Sequence, residues 1–305
     1  MRAALETARL SPTLPARASG SARARAFWEL TKPGIGAVVL MTTAAGFAAV
    51  GEGPLRWGLL AWTLLGTWLS ACGAGALNML LERDSDALMG RTARRPLPSG
   101  RLRAEEAMLV GTATAILGVG TLTLAAHPLA GLLSASCLFL YLGLYTPLKR
   151  VSPLCMVPGA ASGAIPPLIG WAAAHGTLSP PGWTLALVLF LWQFPHIMAL
   201  SWLYRKDYAR AGLRMLPEHR GLEDATAAGL YAVTSCLALV PASLLPVAWG
   251  SASGLYAWTA GGLGLVYLFA SAAFALTRTE TAARRLFLAS ILYVPLLLAA
   301  LLFAR

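Results

Sequence analysis

Apolar residues run along this chain in blocks of roughly membrane-spanning length, each separated from the next by a short polar segment. About 20 mostly apolar residues are enough for an α-helix to cross a bilayer. The pattern therefore predicts an all-α, polytopic membrane protein with nine transmembrane helices. These helices are predicted over residues 35–51, 57–81, 107–126, 129–145, 156–174, 183–204, 225–249, 255–276 and 286–303.

Proline and glycine interrupt the fifth predicted helix at several positions, including Pro158, Gly163, Pro166 and Gly170. Proline removes a backbone hydrogen bond and kinks a helix. A membrane tolerates such a break only where neighbouring protein or water satisfies the freed backbone groups. We therefore expect the fifth helix to be kinked and packed inside the bundle.

Lysine and arginine are concentrated in alternate loops, at residues 2–32, 83–103, 149–150, 205–220 and 278–285. Because cytoplasmic loops retain these residues, the N-terminus and this face of the protein are predicted to be cytoplasmic. The net charge of +11 then reflects topology, and nucleic acid is not expected as a partner.

A bacterial inner membrane is the predicted location. A mitochondrial inner membrane is the less favoured alternative, because the first residues also have a transit-peptide composition.

Residues 1–26 are rich in Ala, Arg, Ser and Pro and are predicted to form a disordered cytoplasmic extension. The transmembrane domain then occupies residues 27–305.

Four cysteines, Cys72, Cys137, Cys155 and Cys236, are scattered without metal-binding spacing. They are expected to pack as small apolar residues.

A carboxamide and two carboxylates, Asn78, Glu82 and Asp86, follow one another at four-residue spacing where the second predicted helix ends. On an α-helix this spacing places side chains within about 80° on one face, about 6 Å apart along the axis. Mg²⁺ prefers oxygen ligands and is usually held by one or two carboxylates together with substrate phosphates. We expect Asn78, Glu82 and Asp86 to bind Mg²⁺ and to form the catalytic centre, whereas Asp84 lies on another face.

Arginines follow this acidic motif directly. Arg91 and Arg95 are placed to complete a diphosphate site, because guanidinium groups can bind phosphate through two hydrogen bonds. Arg94, Arg101 and Arg103 are instead interpreted as solvated, topology-setting charges at a helix end.

The motifs together resemble the UbiA superfamily of intramembrane prenyltransferases. The resemblance runs from about Leu30 to Pro217. Its carriers are residues 30–33 (LTKP), the acidic motif with 95–100 (RPLPSG), 145–150 (YTPLKR), 192–196 (WQFPH) and 207–212 (DYARAG). The WQFPH segment and residues 165–171 (IPPLIGW) are particular to the branch of the superfamily that modifies haem.

The resemblance implies that a farnesyl group passes from farnesyl diphosphate to a vinyl group of haem b, with addition of a hydroxyl, to give haem O. The diphosphate would be bound by Lys32, Arg91, Arg95 and Lys149. His196 becomes a candidate haem-binding residue, as an iron ligand, a proton-transfer group or a hydrogen-bonded packing residue. Farnesyl diphosphate, haem b, the lipid bilayer and a downstream haem-modifying enzyme are the implied partners.

Two departures from the family pattern stand out. Many superfamily members carry a second Asp-rich motif after the sixth helix, but here residues 193–208 supply only one carboxylate, Asp207. This weakens the case for two metal ions. Glu82 stands where the family more usually has Asp, which keeps the carboxylate but lengthens its reach by one methylene.

Two other functions stay open at this point. A related enzyme that prenylates an aromatic quinone precursor would share the acidic motif but would not bind haem. A transporter or structural membrane protein would explain the nine spans without Mg²⁺ dependence, and Glu82→Gln would then have little effect. The clustering of acidic and basic residues at one membrane face makes this last function the least favoured.

Overall fold

The structure is a computed structural model that describes residues 20–49, 54–219, 222–223 and 225–303. Helices make up most of this part of the chain. They are α1 (Gly20–Leu30), α2 (Pro33–Ala48), α3 (Trp57–Leu81), α4 (Arg83–Ala87), α5 (Ala104–Thr121), α6 (Pro128–Leu138), α7 (Thr146–Leu148), α8 (Met156–Ala164), α9 (Pro166–His175), α10 (Pro180–Leu203), α11 (Arg205–Arg210), α12 (Ala225–Ala248), α13 (Gly254–Thr277) and α14 (Glu280–Phe303). π-Helical turns at Leu122–Ala126 and Phe139–Tyr145 and a 3-10 turn at Pro153–Cys155 complete the helical elements.

The predicted number of membrane spans agrees with this architecture. Eight described helical segments are long and apolar enough to cross a membrane, and the bent pair α1 and α2 makes a ninth if it is one span. A short antiparallel hairpin of Glu218–His219 and Leu222–Glu223 is the exception to the all-α prediction among the described residues. It lies in the polar loop before α12, so the all-α fold class is confirmed for the bundle.

The helix pair α1 and α2 meets at a bend of 47°. Lys32 sits at the bend in the left-handed conformation, with φ 51° and ψ 59°, and Pro33 begins α2. Proline disfavours helical geometry in the residue before it, which explains why the helix breaks here. A positive φ is uncommon for a residue other than glycine. The break carries the Lys32 side chain to the end of the bundle where the acidic motif lies.

The last part of the predicted disordered extension is helical. Residues 20–26 belong to α1, and Ala26 is buried with Leu30 against Ala76 and Met79 of α3. This apolar face of α1 gains buried contacts that composition alone does not reveal. The domain boundary at residue 26 stays a prediction. Residues 1–19 lie outside the described part of the chain, and their predicted disorder stays a prediction.

The fifth predicted helix is broken and buried, as expected. It divides into α8 and α9 at Ile165, directly before Pro166, and eight of the ten residues of α9 are buried. α9 packs closely on α2: a Cβ at Gly46 would overlap the Pro167 backbone, and one at Gly170 would overlap the Thr43 backbone. The prediction of a kinked helix inside the bundle is confirmed.

The predicted cytoplasmic loops come together at one end of the bundle, called the basic end below. Lys149 bonds Glu82 there, Arg91 lies over the Tyr204 ring, and Arg205 pairs with Glu280 at 3.3 Å. These contacts join the segments that follow α3, α7, α10 and α13. The alternation of charged and apolar segments in the sequence thus corresponds to one polar surface in the fold.

Candidate active site

The acidic motif keeps its helical register although the helix itself ends. α3 stops at Leu81, and Glu82 at the junction with α4 has φ −96° and ψ 4°. The Glu82 amide still bonds the Asn78 carbonyl at 2.9 Å, and the Asp86 amide bonds the Glu82 carbonyl at 2.7 Å. Asn78, Glu82 and Asp86 are all buried, with 1%, 8% and 1% of their surface exposed. The break therefore preserves the four-residue relationship among the three predicted ligands.

Each member of the acidic motif contacts a different cation. The pairs are Lys32 with the Asn78 side-chain carbonyl, Lys149 with Glu82 at 2.6 Å, and Arg95 with Asp86 at 2.7 Å. Three of the four predicted diphosphate ligands are therefore brought to the predicted metal ligands. Two of the pairs are ion pairs, whereas Lys32 meets a neutral carboxamide.

The fourth predicted diphosphate ligand, Arg91, does not touch the acidic motif. Its guanidinium lies 4.8 Å from the centre of the Tyr204 ring, at the point where α10 gives way to α11. This cation–π contact joins the segment after α4 to the end of α10. Arg91 has no carboxylate within ion-pair distance among the described residues.

A π-helical turn places two further side chains against the motif. Thr146 follows the turn Phe139–Tyr145; its hydroxyl donates to the Tyr141 carbonyl at 2.8 Å and accepts from the Asn78 amide nitrogen at 3.0 Å. The Lys149 ammonium lies 4.1 Å from the centre of the Tyr145 ring. Thr146 and Tyr145 were not predicted as site residues. The available signal was their position within one helical turn of Lys149.

Charge pairing fixes the ionisation of Glu82 and Lys149. Burial by itself would raise the pKa of Glu82, but the positive charges of Lys149 and Lys32 outweigh it and lower that pKa. Burial likewise opposes the charged form of Lys149, and the Glu82 carboxylate helps to raise the pKa of Lys149 above its ordinary value. Both side chains are therefore charged at neutral pH.

The donor set suits Mg²⁺ better than a metal that prefers nitrogen or sulfur. No group of three or more His, Cys, Asp and Glu side chains with metal-binding geometry occurs in the described residues. Two carboxylates and one carboxamide instead supply oxygen atoms. Oδ1 of Asp86 is buried and accepts no hydrogen bond from the described residues. An uncommitted buried carboxylate oxygen is a suitable ligand for a hard cation that keeps waters and binds substrate phosphates.

An open cavity of about 460 Å³ lies beside the acidic motif, between α1, the end of α3 and the segment after α4. It is called the basic cavity. Its lining includes Arg25, Trp28, Glu29, Lys32, Met79, Arg91, Arg94 and Arg95. Lys32 and Arg95 face both this cavity and the acidic motif, so the two regions are continuous.

The other carboxylates of the basic end pair with arginines of their own. Asp84 pairs with Arg83 at 3.2 Å, and 80% of its side chain is exposed. Asp207 pairs with Arg210 of the same helix. Arg101 and Arg103 also pair with nearby carboxylates, on Glu29 and Glu106. The predicted exclusion of Asp84 from the ligand face agrees with its exposure.

His196 lies apart from the acidic motif, inside α10. Its Nδ1 and the Ser290 hydroxyl are 2.7 Å apart, and its ring stacks between Trp192 and Phe287 with centroid distances of 5.0 and 5.1 Å. Trp192 also donates to the Ser290 carbonyl at 2.8 Å. The imidazole is thus held in one orientation, with Nδ1 engaged and Nε2 without a hydrogen bond to the described residues.

Comparison with known proteins agrees with these features. The model of the UbiA prenyltransferase family matches residues 39–298. Protoheme IX farnesyltransferase from Opitutus terrae is 42% identical over 282 residues, which cover 92% of this chain and 94% of that protein.

Solved structures share the fold at low sequence identity. A structure of digeranylgeranylglyceryl phosphate synthase has a TM-score of 0.78 and 14% identity, and covers 92% of this chain and 98% of its own. A UbiA homolog from Archaeoglobus fulgidus bound to GPP and Mg²⁺ has a TM-score of 0.63 and 14% identity, covering 90% and 99%. At such identities the similarity shows the fold.

Proposed function

Because this chain belongs to the UbiA prenyltransferase family, we propose that it transfers a farnesyl group from farnesyl diphosphate to a vinyl group of haem b. Water then adds the hydroxyl, and the products are haem O and diphosphate. Haem b as the acceptor is supported by the similarity to protoheme IX farnesyltransferase from Opitutus terrae and by the haem-branch motif at residues 192–196. Prenyl transfer as such is supported by the geometry of the acidic motif.

The observation that carries the proposal is the pairing of every member of the acidic motif with a cation. Departure of diphosphate from the allylic carbon concentrates negative charge on the leaving group. Positive charges already held in a buried site stabilise that charge without reorganising at the moment of reaction. Lys149 and Arg95 are held in this way beside carboxylates, and Lys32 lies beside Asn78, where a bound diphosphate would supply its counter-charge.

When the substrate binds, the acidic motif and its paired cations exchange each other for new partners. Asn78, Glu82 and Asp86 would hold Mg²⁺, which supplies Lewis-acid stabilisation of the leaving diphosphate when bound. Their cations turn to the phosphate oxygens, joined by Arg91 from the basic cavity. Arginine binds phosphate through paired N–H donors and lysine as a compact charge, so the two types divide orientation and charge neutralisation between them. One metal is proposed, because Asp207 pairs with Arg210 and no second cluster of His, Cys, Asp and Glu side chains occurs in the described residues.

Water must be kept from the allylic cation until the acceptor attacks. The apolar helices provide a dry environment for the farnesyl tail, and Tyr145 adds an aromatic face beside Lys149. Thr146 holds the Asn78 side chain through its amide nitrogen, which directs the carbonyl oxygen toward Lys32.

His196 stays a candidate haem-binding residue, with Nε2 as the atom available for that role. Its Nδ1 contacts Ser290, and the two stacked rings fix the plane of the imidazole. A histidine whose second nitrogen is oriented in this way is suited to ligate iron or to hold a proton at a defined atom.

The basic end is proposed to face the cytoplasm, because positively charged loops are retained on that side. A bacterial inner membrane is the proposed location. An enzyme that modifies haem further would consume the product, and this partner stays a prediction.

The test is direct. Detergent-purified protein is incubated with haem b, farnesyl diphosphate and Mg²⁺, with or without chelator, and extracted porphyrins are analysed by mass spectrometry. We expect a Mg²⁺-dependent product that carries one farnesyl and one hydroxyl. Unmodified haem in folded protein that binds diphosphate would overturn the proposal. Transfer to an aromatic quinone precursor under the same conditions would establish the alternative.

A further inference from the structure

Arg25, Trp28 and Arg94 in the basic cavity have no role in the chemistry described above. The cavity opens to the surface at the basic end and has a volume of about 460 Å³, within the range of about 300–1,000 Å³ usual for small-molecule sites. The ligand inferred for these side chains is the haem acceptor, so the inference rests on the proposed function.

The cations of the cavity outnumber the carboxylates near them. Glu29 is the carboxylate that lines it. Glu29 accepts from Arg101 at 2.5 Å and from Arg25 at 3.2 Å. Glu29 carries one negative charge against the two positive charges of Arg25 and Arg101, so these three side chains together have a net charge of +1.

The other cations that line the cavity differ in whether a carboxylate pairs with them. Arg95 is neutralised by Asp86 at 2.7 Å. Lys32 contacts only the neutral carboxamide of Asn78, while Arg91 and Arg94 have no carboxylate within ion-pair distance among the described residues. If Lys32 and Arg91 bind diphosphate as proposed, Arg25 and Arg94 remain for another anion.

These two arginines lie on separate elements that border the same cavity. Arg25 belongs to α1, and Arg94 to the segment after α4. Trp28, one helical turn from Arg25, is 57% exposed although its ring packs on Trp68 with a centroid distance of 6.0 Å. A flat aromatic face beside two separate guanidinium groups suits a planar ligand with two carboxylates.

Haem b has this composition. Its two propionates lie on one edge of the macrocycle, and its vinyl groups lie toward the other. Lys32 and Arg95 also line the cavity and contact Asn78 and Asp86 of the acidic motif. Propionates at the exposed arginines would therefore leave the vinyl edge directed inward, toward the acidic motif where the allylic cation forms.

We propose that Arg25 and Arg94 bind the two propionates of haem b at the mouth of the basic cavity, with the Trp28 ring against the porphyrin. The site orients the acceptor for the proposed reaction. It acts by position and charge, so Arg25, Trp28 and Arg94 are binding residues that take no part in bond breaking.

The test compares haem b with its dimethyl ester, which keeps the macrocycle and removes both negative charges. Affinities are measured by Soret absorbance in nanodiscs of neutral lipid, without Mg²⁺ or farnesyl diphosphate. We expect the wild type to bind haem b at least tenfold more tightly than the ester. The double variant Arg25→Gln/Arg94→Gln should lose about tenfold or more in affinity for haem b and none for the ester.

Two control variants sharpen the comparison. Arg284→Gln removes an exposed arginine in the first turns of α14, away from the cavity, and should leave both affinities unchanged. Arg25→Lys/Arg94→Lys keeps the charges but loses the paired donors, and should fall between wild type and the Gln variant.

Three results would overturn the inference. One is a double Gln variant that binds both porphyrins as the wild type does, and another is an equal loss of both affinities. The third is a combination of two observations: the wild type binds haem b and its dimethyl ester equally well, and the Gln variant binds phosphatidylglycerol vesicles more weakly than the wild type. That result would assign the arginines to lipid headgroups. The mass-spectrometric assay tests the proposed function separately, since haem O formation by the wild type does not depend on the outcome of these titrations.

Discussion

Lys149 donates a hydrogen bond from its ammonium to Oε1 of Glu82 over 2.6 Å, and only 12% and 11% of the two side chains is exposed. Taking two charges out of water is costly, and each is tolerated because the other is present. The pair joins the end of α3 to the segment after α7. It therefore links the stability of the basic end to the chemistry proposed there.

Removing either partner alone should destabilise the protein more than removing both. Glu82→Gln or Lys149→Gln leaves one buried charge without its partner, which typically costs about 3–5 kcal/mol. We expect the double variant Glu82→Gln/Lys149→Gln to be more stable than either single variant. Thermal unfolding in detergent would show this order. Losses that simply add in the double variant would mean that the two side chains do not interact.

Activity should follow a different order from stability. The double variant recovers its fold but has lost a metal ligand and a diphosphate cation, so it stays inactive. We expect Glu82→Gln to lower kcat/KM by about 10²–10³-fold, as for loss of one transition-state contact, and Glu82→Asp to retain more activity than Gln. Asp84→Asn is the matched control, because that carboxylate is 80% exposed. Equal losses at Glu82 and Asp84 would contradict the assigned ligand face.

The Glu82–Lys149 pair also predicts a pH profile. The pKa of Glu82 is lowered from 4.5, so its contribution to stability is present above pH 4.5 and is lost as pH falls through the lowered value. The pKa of Lys149 is raised from 10.5, so its contribution is present below pH 10.5 and is lost as pH rises through the raised value. Between these limits both members of the pair stay charged, so the coupling energy between them should stay constant. A double-mutant cycle of unfolding free energies at several pH values isolates that coupling, and its loss within this range would show that one member is uncharged.

The close contact between α2 and α9 predicts a strong effect of one added methyl group. A Cβ at Gly170 would overlap the Thr43 backbone, whereas a Cβ at Gly120 in α5 meets no atom within 4 Å. Gly170→Ala should lower thermal stability and disturb α9, since a backbone cannot move aside as a flexible side chain can. Gly120→Ala should be neutral or stabilise by about 0.5–1 kcal/mol, because alanine is the better helix former. Similar effects at both positions would rule out the tight α2–α9 contact.

His196 should affect haem and not diphosphate. His196→Ala removes Nε2, so we expect an altered Soret spectrum of bound haem b and an unchanged Kd for farnesyl diphosphate. Ser290→Ala removes the hydrogen-bond partner of Nδ1, so the imidazole ring is no longer held in one orientation. We expect it to alter the Soret spectrum in the same direction but by less. An unaltered spectrum in His196→Ala would leave the histidine as a hydrogen-bonded packing residue.

The sequence alone determined the number of spans, the placing of the charged loops at one end of the bundle and the spacing of Asn78, Glu82 and Asp86. These properties follow from local rules: the length of an apolar run, the distribution of Lys and Arg, and the pitch of a helix. The interruption of the fifth span at Pro166 was predictable for the same reason, since proline acts on its own helix. The family could also be recognised, because its motifs are short and contiguous.

Only the tertiary structure decided which cation meets which ligand. Lys32 and Asn78 are 46 positions apart and Lys149 and Glu82 are 67 apart, so their pairing depends on how helices pack. The bend at Lys32, the break of α3 at Leu81 and the π-helical turn before Thr146 each redirect a side chain by a local departure from ideal geometry. The helical order of α1 and the surplus charge of Arg25 and Arg94 were likewise not apparent from composition. The order of α1 and the charge balance of the cavity both depend on residues that only folding brings together. The hydrophobic periodicity of a single segment carries no information about such distant residues.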